Sequence, residues 1–168
     1  MSGSGPLFSG EQIAGLLVRL GITHAVAVPD GTLGQWHEAI ARTDGVRLVR
    51  VCREGEAWAI AMGLYLGGAR PLVLIQCTGL FESGDSLRNA LHDWGLPLPA
   101  ILGYRSYLNQ DLLPGDTCLV FSEPILDAWK IPYRLITESG QLDVIEQHLA
   151  GCRAAATPGA VLIAEGRS

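Results

Sequence analysis

The sequence predicts an α/β fold, a parallel sheet of about six strands with helices on both faces. Three observations predict it. Short apolar runs alternate with longer segments of helical periodicity along the whole chain. Residues 71–75 are continuously apolar, as a buried strand is. The helical segments stop at glycine, first at Gly21 and later at Gly67-Gly68. The 168 residues amount to about one domain, and neither a linker nor an internal repeat divides them.

Each element has its own signal. Residues 1–8 are expected to form a loose arm. Ser9 with Gln12 three positions on forms a capping box pattern. Ile13, Leu16, Leu17 and Leu20 then repeat at helical spacing. Residues 23–28 read as a short strand that ends in the turn Pro29-Asp30-Gly31. Thr32 is placed to cap a helix running to Ala41. Asp44-Gly45 makes another turn before a strand over 46–51. Glu54 and Glu56 open the central helix, which ends at Gly67-Gly68 before a strand over 71–77. Thr78, Gly79 and Leu80 are expected to leave that strand as a loop, with a helix following over 83–94. Residues 98–103 read as a strand, and 109–117, broken by Pro114 and Gly115, as a loop. Ser122-Glu123-Pro124 reads as a helix start, with proline near the first helical position. A strand over 131–136, an amphipathic helix over 141–156 and a strand over 160–164 complete the chain.

Composition narrows the function. Hydrophobic residues make up 48% and charged residues 17%, as in a subunit that hides surface against partners. A formal charge of −5 without a basic run argues against nucleic-acid binding. Cys52, Cys77, Cys118 and Cys152 form no CxxC pair, so no zinc site is expected. Cys52 and Cys77 fall at strand ends, where buried thiols are expected. No signal peptide opens the sequence and no apolar run reaches the length of a membrane span, so a soluble, cytoplasmic protein is expected.

Four groups fall at the carboxyl ends of the expected strands: Pro29-Asp30-Gly31, Arg53-Glu54, Thr78-Gly79-Leu80 and Tyr104-Arg105-Ser106. In an open parallel sheet such ends share one edge, where ligands bind. The glycine-rich phosphate loops and the Gly-x-Ser-x-Gly elbow are absent, and His24, His37, His92 and His148 are scattered. Gly84-Asp85-Ser86 holds an acid that nothing nearby completes into a magnesium site. The chain thus offers an acid, an arginine and shaped loops, but no nucleophile. A cofactor or second subunit has to supply the difficult step.

These residues resemble the pyrimidine-binding (Pyr) domain of thiamine diphosphate enzymes, above all the alpha subunit of sulfopyruvate decarboxylase and its phosphonopyruvate decarboxylase relatives. The likeness runs from about Ser9 to Ala164. Its most specific part is REGEAWAIAMGLYLGG, in which Glu54 precedes Gly63 by the nine positions seen in that superfamily. VPDG at 28–31 is similar to the family's Val-Pro-Asp-Ser, QCTGL at 76–80 to its Gln-Asn-Ser-Gly-Leu, and GYRSY at 103–107 to its His-Arg-Gly region. Gly31 stands where the family has serine, Cys77 where it has asparagine and Thr78 where it has serine. The stretch FESGDSLRNALHDWG is longer and more acidic than in sulfopyruvate enzymes.

The resemblance implies a Pyr-type α/β fold and a role for each matched residue. Glu54 would hydrogen-bond N1′ of the cofactor's aminopyrimidine and favour its imino tautomer, whose imino nitrogen would take the proton from C2 of the thiazolium. A 2-keto acid would then lose carbon dioxide and leave as an aldehyde. Thr78, Gly79 and Leu80 would line the pyrimidine. Asp30 and Arg105 would hold the substrate, the arginine fork suiting a sulfonate, phosphonate or carboxylate. No metal ligand is assigned to this chain. The diphosphate and Mg2+ would be held by a separate beta subunit carrying the diphosphate-binding domain, in a hetero-oligomer. A split acetolactate-type carboligase and a non-catalytic Pyr-like regulatory module are the alternatives.

Overall fold

The computed structural model of the chain describes residues 6–31, 33–113 and 115–166. Six strands, β1 (His24–Ala27), β2 (Arg47–Arg50), β3 (Pro71–Gln76), β4 (Pro99–Tyr104), β5 (Tyr133–Ile136) and β6 (Gly159–Ala164), form one sheet. Its order is β2-β1-β3-β4-β6-β5, with every neighbouring pair parallel. The α/β parallel sheet read from the sequence is therefore present.

Strand alternation divides the core into two layers. Leu72, Leu74, Ile101, Val161 and Ile163 face one side, where α1 (Gly10–Arg19), α2 (Gly34–Ala41) and α6 (Leu142–Ala154) pack. Val73, Ile75, Ala100, Leu102 and Leu162 face the other, covered by α3 (Glu54–Leu66), α4 (Cys77–Arg88) and α5 (Thr117–Ala128). Successive strand residues point to opposite faces, so a strand covered on both sides has to be apolar throughout. β3 is buried from Pro71 to Ile75 for that reason.

The connections create the working edge. From β1 the chain moves outward through α2 to β2. It then returns over the opposite face through α3 to β3, on the other side of β1. The boundary between β1 and β3 is thus a topological switch point, the place where open α/β sheets bind ligands. All four groups singled out in the sequence leave this carboxyl edge.

Several expectations need correction. Phe8 is buried and its carbonyl accepts a hydrogen bond from Trp36 Nε1 at 2.8 Å, so the loose arm does not extend that far. Residues 1–5 and Thr32 lie outside the described residues. What is seen of the α2 entry is Leu33 N donating to Asp30 Oδ1 at 2.8 Å. The Ser9–Gln12 capping box is present in both directions.

Thr78, Gly79 and Leu80 are not a loop. α4 begins at Cys77, directly after β3, and the helical path breaks at Gly84 before a π turn over Asn89–Asp93. The expected helix over 83–94 is the second half of this arrangement. α5 starts at Thr117 rather than at Ser122, because Asp116 caps it through Cys118 N at 2.9 Å. Pro124 therefore lies inside the helix, and Ser122 Oγ donates back to Cys118 O at 2.6 Å. Part of the expected loop over 109–117 belongs to a 3-10 segment, Tyr107–Leu112. Cys52 is exposed, whereas Cys77 is buried.

Candidate functional site

α3 leaves the end of β2 with Glu54 as its first residue, half-buried at the sheet edge. Arg53 stands at the N-cap position in extended conformation. Glu56 reaches back to accept from Cys52 N at 3.1 Å and Arg53 N at 3.3 Å. It is a first-turn acid that stabilises the helix start, as its position in the sequence suggests.

The Glu54 side chain crosses to the first turn of α4. A Cβ at Gly79 would stand 2.3 Å from Glu54 Cγ and 2.7 Å from Oε1, far inside contact distance. Glycine at 79 is thus what lets the carboxylate lie against the switch-point helix. A buried chain of hydrogen bonds holds Gly79 in turn. Ser83 Oγ donates to Gly79 O at 2.6 Å, and Trp58 Nε1 donates to Ser83 Oγ at 2.9 Å. Trp58 is one turn beyond Glu54 on α3, so the two helices are tied into a closed loop around the carboxylate.

Thr78 is half-buried and its Oγ1 donates to Gln76 Oε1 at 3.1 Å. Leu80 is 3% exposed and packs in the α3/α4/α5 core, so only its backbone can face a ligand. The first amides of α4 have no partner within their own helix. A carboxylate, a glycine without a side chain and a helix N-terminus therefore meet at one point. That combination fits a flat heterocycle with ring nitrogens: the carboxylate, seated where Gly79 has no Cβ, can meet a ring nitrogen beside the helix start.

Asp30 follows β1, half-buried, engaged with Leu33 N. A Cβ at Gly31 would meet nothing within 4 Å, so the glycine leaves open space where a hydroxymethyl group would fit. Arg105 follows β4, half-buried, and its backbone approaches the Cys77 thiol, so the ends of β3 and β4 adjoin here. None of the ion pairs among the described residues uses Arg105.

Three groups were not singled out in the sequence. Glu165, just past β6, is 1% exposed and lies on Gly103, where a Cβ would stand 2.2 Å from its Oε1. Its backbone accepts from Leu108 N at 3.1 Å and donates to Tyr104 O at 3.0 Å, bracketing the segment that carries Arg105. His37 on α2 is buried near Asp30 and Arg50, and burial is the main cause that lowers its pKa. Glu82, on α4, engages the start of α3. The signal for Glu165 was an acid at a strand end on the ligand edge, the same signal that pointed to Glu54.

The buried thiols are not nucleophiles. Burial pushes Cys77 up, and Cys118 is pushed up to about 12, first by burial. No group of three or more potential metal ligands occurs among the described residues. No helix among them is long and apolar enough to cross a membrane.

A family model described as thiamine pyrophosphate enzyme, N-terminal TPP binding domain, matches residues 9–122. A phosphonopyruvate decarboxylase of Streptomyces viridochromogenes is 28% identical over 145 residues, which is 86% of this chain and 36% of that protein. A sulfopyruvate decarboxylase of Methanosarcina acetivorans is 23% identical over 81% of this chain and 35% of its own length. The sulfopyruvate decarboxylase subunit alpha of Methanococcus maripaludis is 22% identical over 73% of this chain and 74% of its own. The chain thus spans about a third of the first two relatives. It belongs to the thiamine pyrophosphate enzyme family, as an N-terminal TPP-binding domain.

Proposed function

We propose that this family member is the pyrimidine-binding half of a thiamine diphosphate-dependent decarboxylase of small 2-keto acids, resembling sulfopyruvate decarboxylase. A second polypeptide, the beta subunit, supplies the diphosphate and Mg2+ site in a hetero-oligomer. The observation that carries this reading is the Glu54 carboxylate laid against Gly79 at the β1/β3 switch point. The relative that matches over similar shares of both chains is itself named a subunit alpha.

Bound thiamine diphosphate would supply the electron sink for the pair left on the former keto carbon of the substrate as carbon dioxide departs. Glu54 is the residue that holds a proton at N1′ of its aminopyrimidine. The carboxylate is half-buried, which strengthens a charged hydrogen bond relative to one in water. Gly79 leaves room for the Glu54 side chain, and the α4 backbone with Thr78 bounds the place where the ring would lie. Arg105, free of ion pairs among the described residues, is the candidate clamp for a second anionic group on the substrate. Asp30 orders the loop after β1 by accepting from Leu33 N.

The test is a decarboxylation assay with sulfopyruvate, phosphonopyruvate and pyruvate, plus cofactor and Mg2+. The chain is assayed alone and mixed with a beta subunit that carries a diphosphate-binding domain. Activity confined to the mixture, with an anionic substrate preferred over pyruvate, is the expected result. Full activity of the chain alone would refute the split arrangement, and no activity or cofactor binding in any mixture would refute the enzyme.

A further inference from the structure

The start of α3 lacks half of its own cap. A capping box needs an acceptor side chain at the N-cap and an acid three residues on. The acid is present as Glu56, but the N-cap residue is Arg53, whose guanidinium can only donate. The missing acceptor comes from the other helix. Glu82 Oε2 on α4 accepts from Gly55 N at 2.7 Å, and Oε1 accepts from Arg53 Nε at 2.9 Å. The Glu54 amide acts on the same carboxylate. One side chain thus binds the residues on both sides of Glu54 and the residue's own backbone.

The energetics agree with this assignment. The Gly55 amide first, and the Arg53 guanidinium next, hold the Glu82 carboxyl below its usual range, so it is ionised at neutral pH. A carboxylate at a helix N-terminus is favoured by the helix dipole. Arg53 offsets its charge, so Glu82 grips the helix start without leaving a second bare negative charge beside Glu54. Glu82 sits between Gly79, on which the Glu54 side chain rests, and Ser83 with its link to Trp58. The Glu54 side chain and backbone are therefore fixed by one turn of α4, residues 79–83.

We propose that Glu82 is a positioning residue for Glu54, an N-cap supplied across the helix–helix contact that sets where the carboxylate meets the cofactor. It does not touch the cofactor. This proposal rests on the reading of Glu54 given above. It also gives a use to the acidic stretch after β3, which departs from the sulfopyruvate pattern.

The test uses the two-subunit holoenzyme and two readouts. One is the rate of hydrogen–deuterium exchange at C2 of bound cofactor without substrate, and the other is amide exchange at Gly55. Glu82→Ala should slow C2 exchange on the order of 10- to 100-fold, the cost of a misplaced catalytic group. It should lower kcat with KM nearly unchanged and deprotect the Gly55 amide. Glu82→Gln, which keeps an acceptor for Gly55, should recover much of the loss and covers the case in which the alanine variant fails to fold. Glu54→Gln is the control. If Glu54→Gln abolishes C2 exchange while both Glu82 variants match the wild type, the positioning proposal is wrong and the Glu54 reading stands. If Glu54→Gln exchanges at the wild-type rate, the Glu54 reading fails and the proposal fails with it.

Discussion

Two carboxylates at the sheet edge each lie on a glycine, Glu54 on Gly79 and Glu165 on Gly103. Only the first was legible in the sequence. Glu54 follows an apolar run and opens a helix, two local signals that coincide. Gly79 is local to its strand end, but its contact with Glu54 spans 25 positions, and no pattern reports such a contact. Glu82 falls just before, and Ser83 at the start of, the expected helix over 83–94, and nothing local reports that this segment faces α3. His37 was set aside as one of four scattered histidines, yet it is buried behind Asp30, and no partner for its Nε2 is present among the described residues. Burial first, with Arg50 reinforcing and Asp30 opposing, holds its pKa below the ordinary 6.5. The unfolded chain therefore binds more protons as pH falls through about 6.5, and stability declines below that pH. His148 shifts in the same direction, again mainly through burial. His37→Gln should make the urea midpoint less sensitive to pH between about 7.5 and 5.5. An undiminished pH dependence in that variant would show that His37 does not titrate in this way.

At the scale of the element, α3 was the most legible and α4 the least. The signals that mark α3 (its first-turn acids, its small apolar residues and the Gly67-Gly68 stop) are local in the sequence, although half of its N-terminal cap comes from Glu82 on α4. α4 was misplaced because Thr78-Gly79-Leu80 combines a β-branched residue with glycine directly after a strand, which reads as a turn. The structure starts the helix there at once, and the break falls later, at Gly84. α5 was misplaced because Pro124 is a strong local start signal, while its actual cap, Asp116, lies in a stretch broken by Pro114 and Gly115. α3 also carries apolar residues on its outer side: Ile60 is 37% exposed, Tyr65 38% and Leu66 53%. A helix that is apolar all round is normally covered on every side. In a hetero-oligomer this face is expected to be buried. Ile60→Lys with Leu66→Lys should weaken assembly with the beta subunit or among copies of the chain, seen as a lower mass by light scattering, with little loss of thermal stability. Unchanged assembly would place the interface elsewhere.

At the scale of the molecule, the alternation of strand and helix signals was sufficient for the fold class, because a parallel sheet covered on both faces leaves apolar runs that local reading detects. Strand order was not legible, since β6 enters between β4 and β5 and no local residue encodes that pairing. The order matters for function. It puts β1 beside β3 and so makes the crevice in which Glu54, Gly79 and the α4 N-terminus meet. The account as a whole therefore turns on where the pyrimidine ring binds. The most direct measurement is a structure of the chain with its beta subunit, thiamine diphosphate and Mg2+. The account predicts N1′ within hydrogen-bond reach of the Glu54 carboxylate, about 2.6–3.2 Å, with the ring beside the first turn of α4. A pyrimidine ring bound away from the β1/β3 crevice, with Glu54 facing solvent or protein alone, would contradict it.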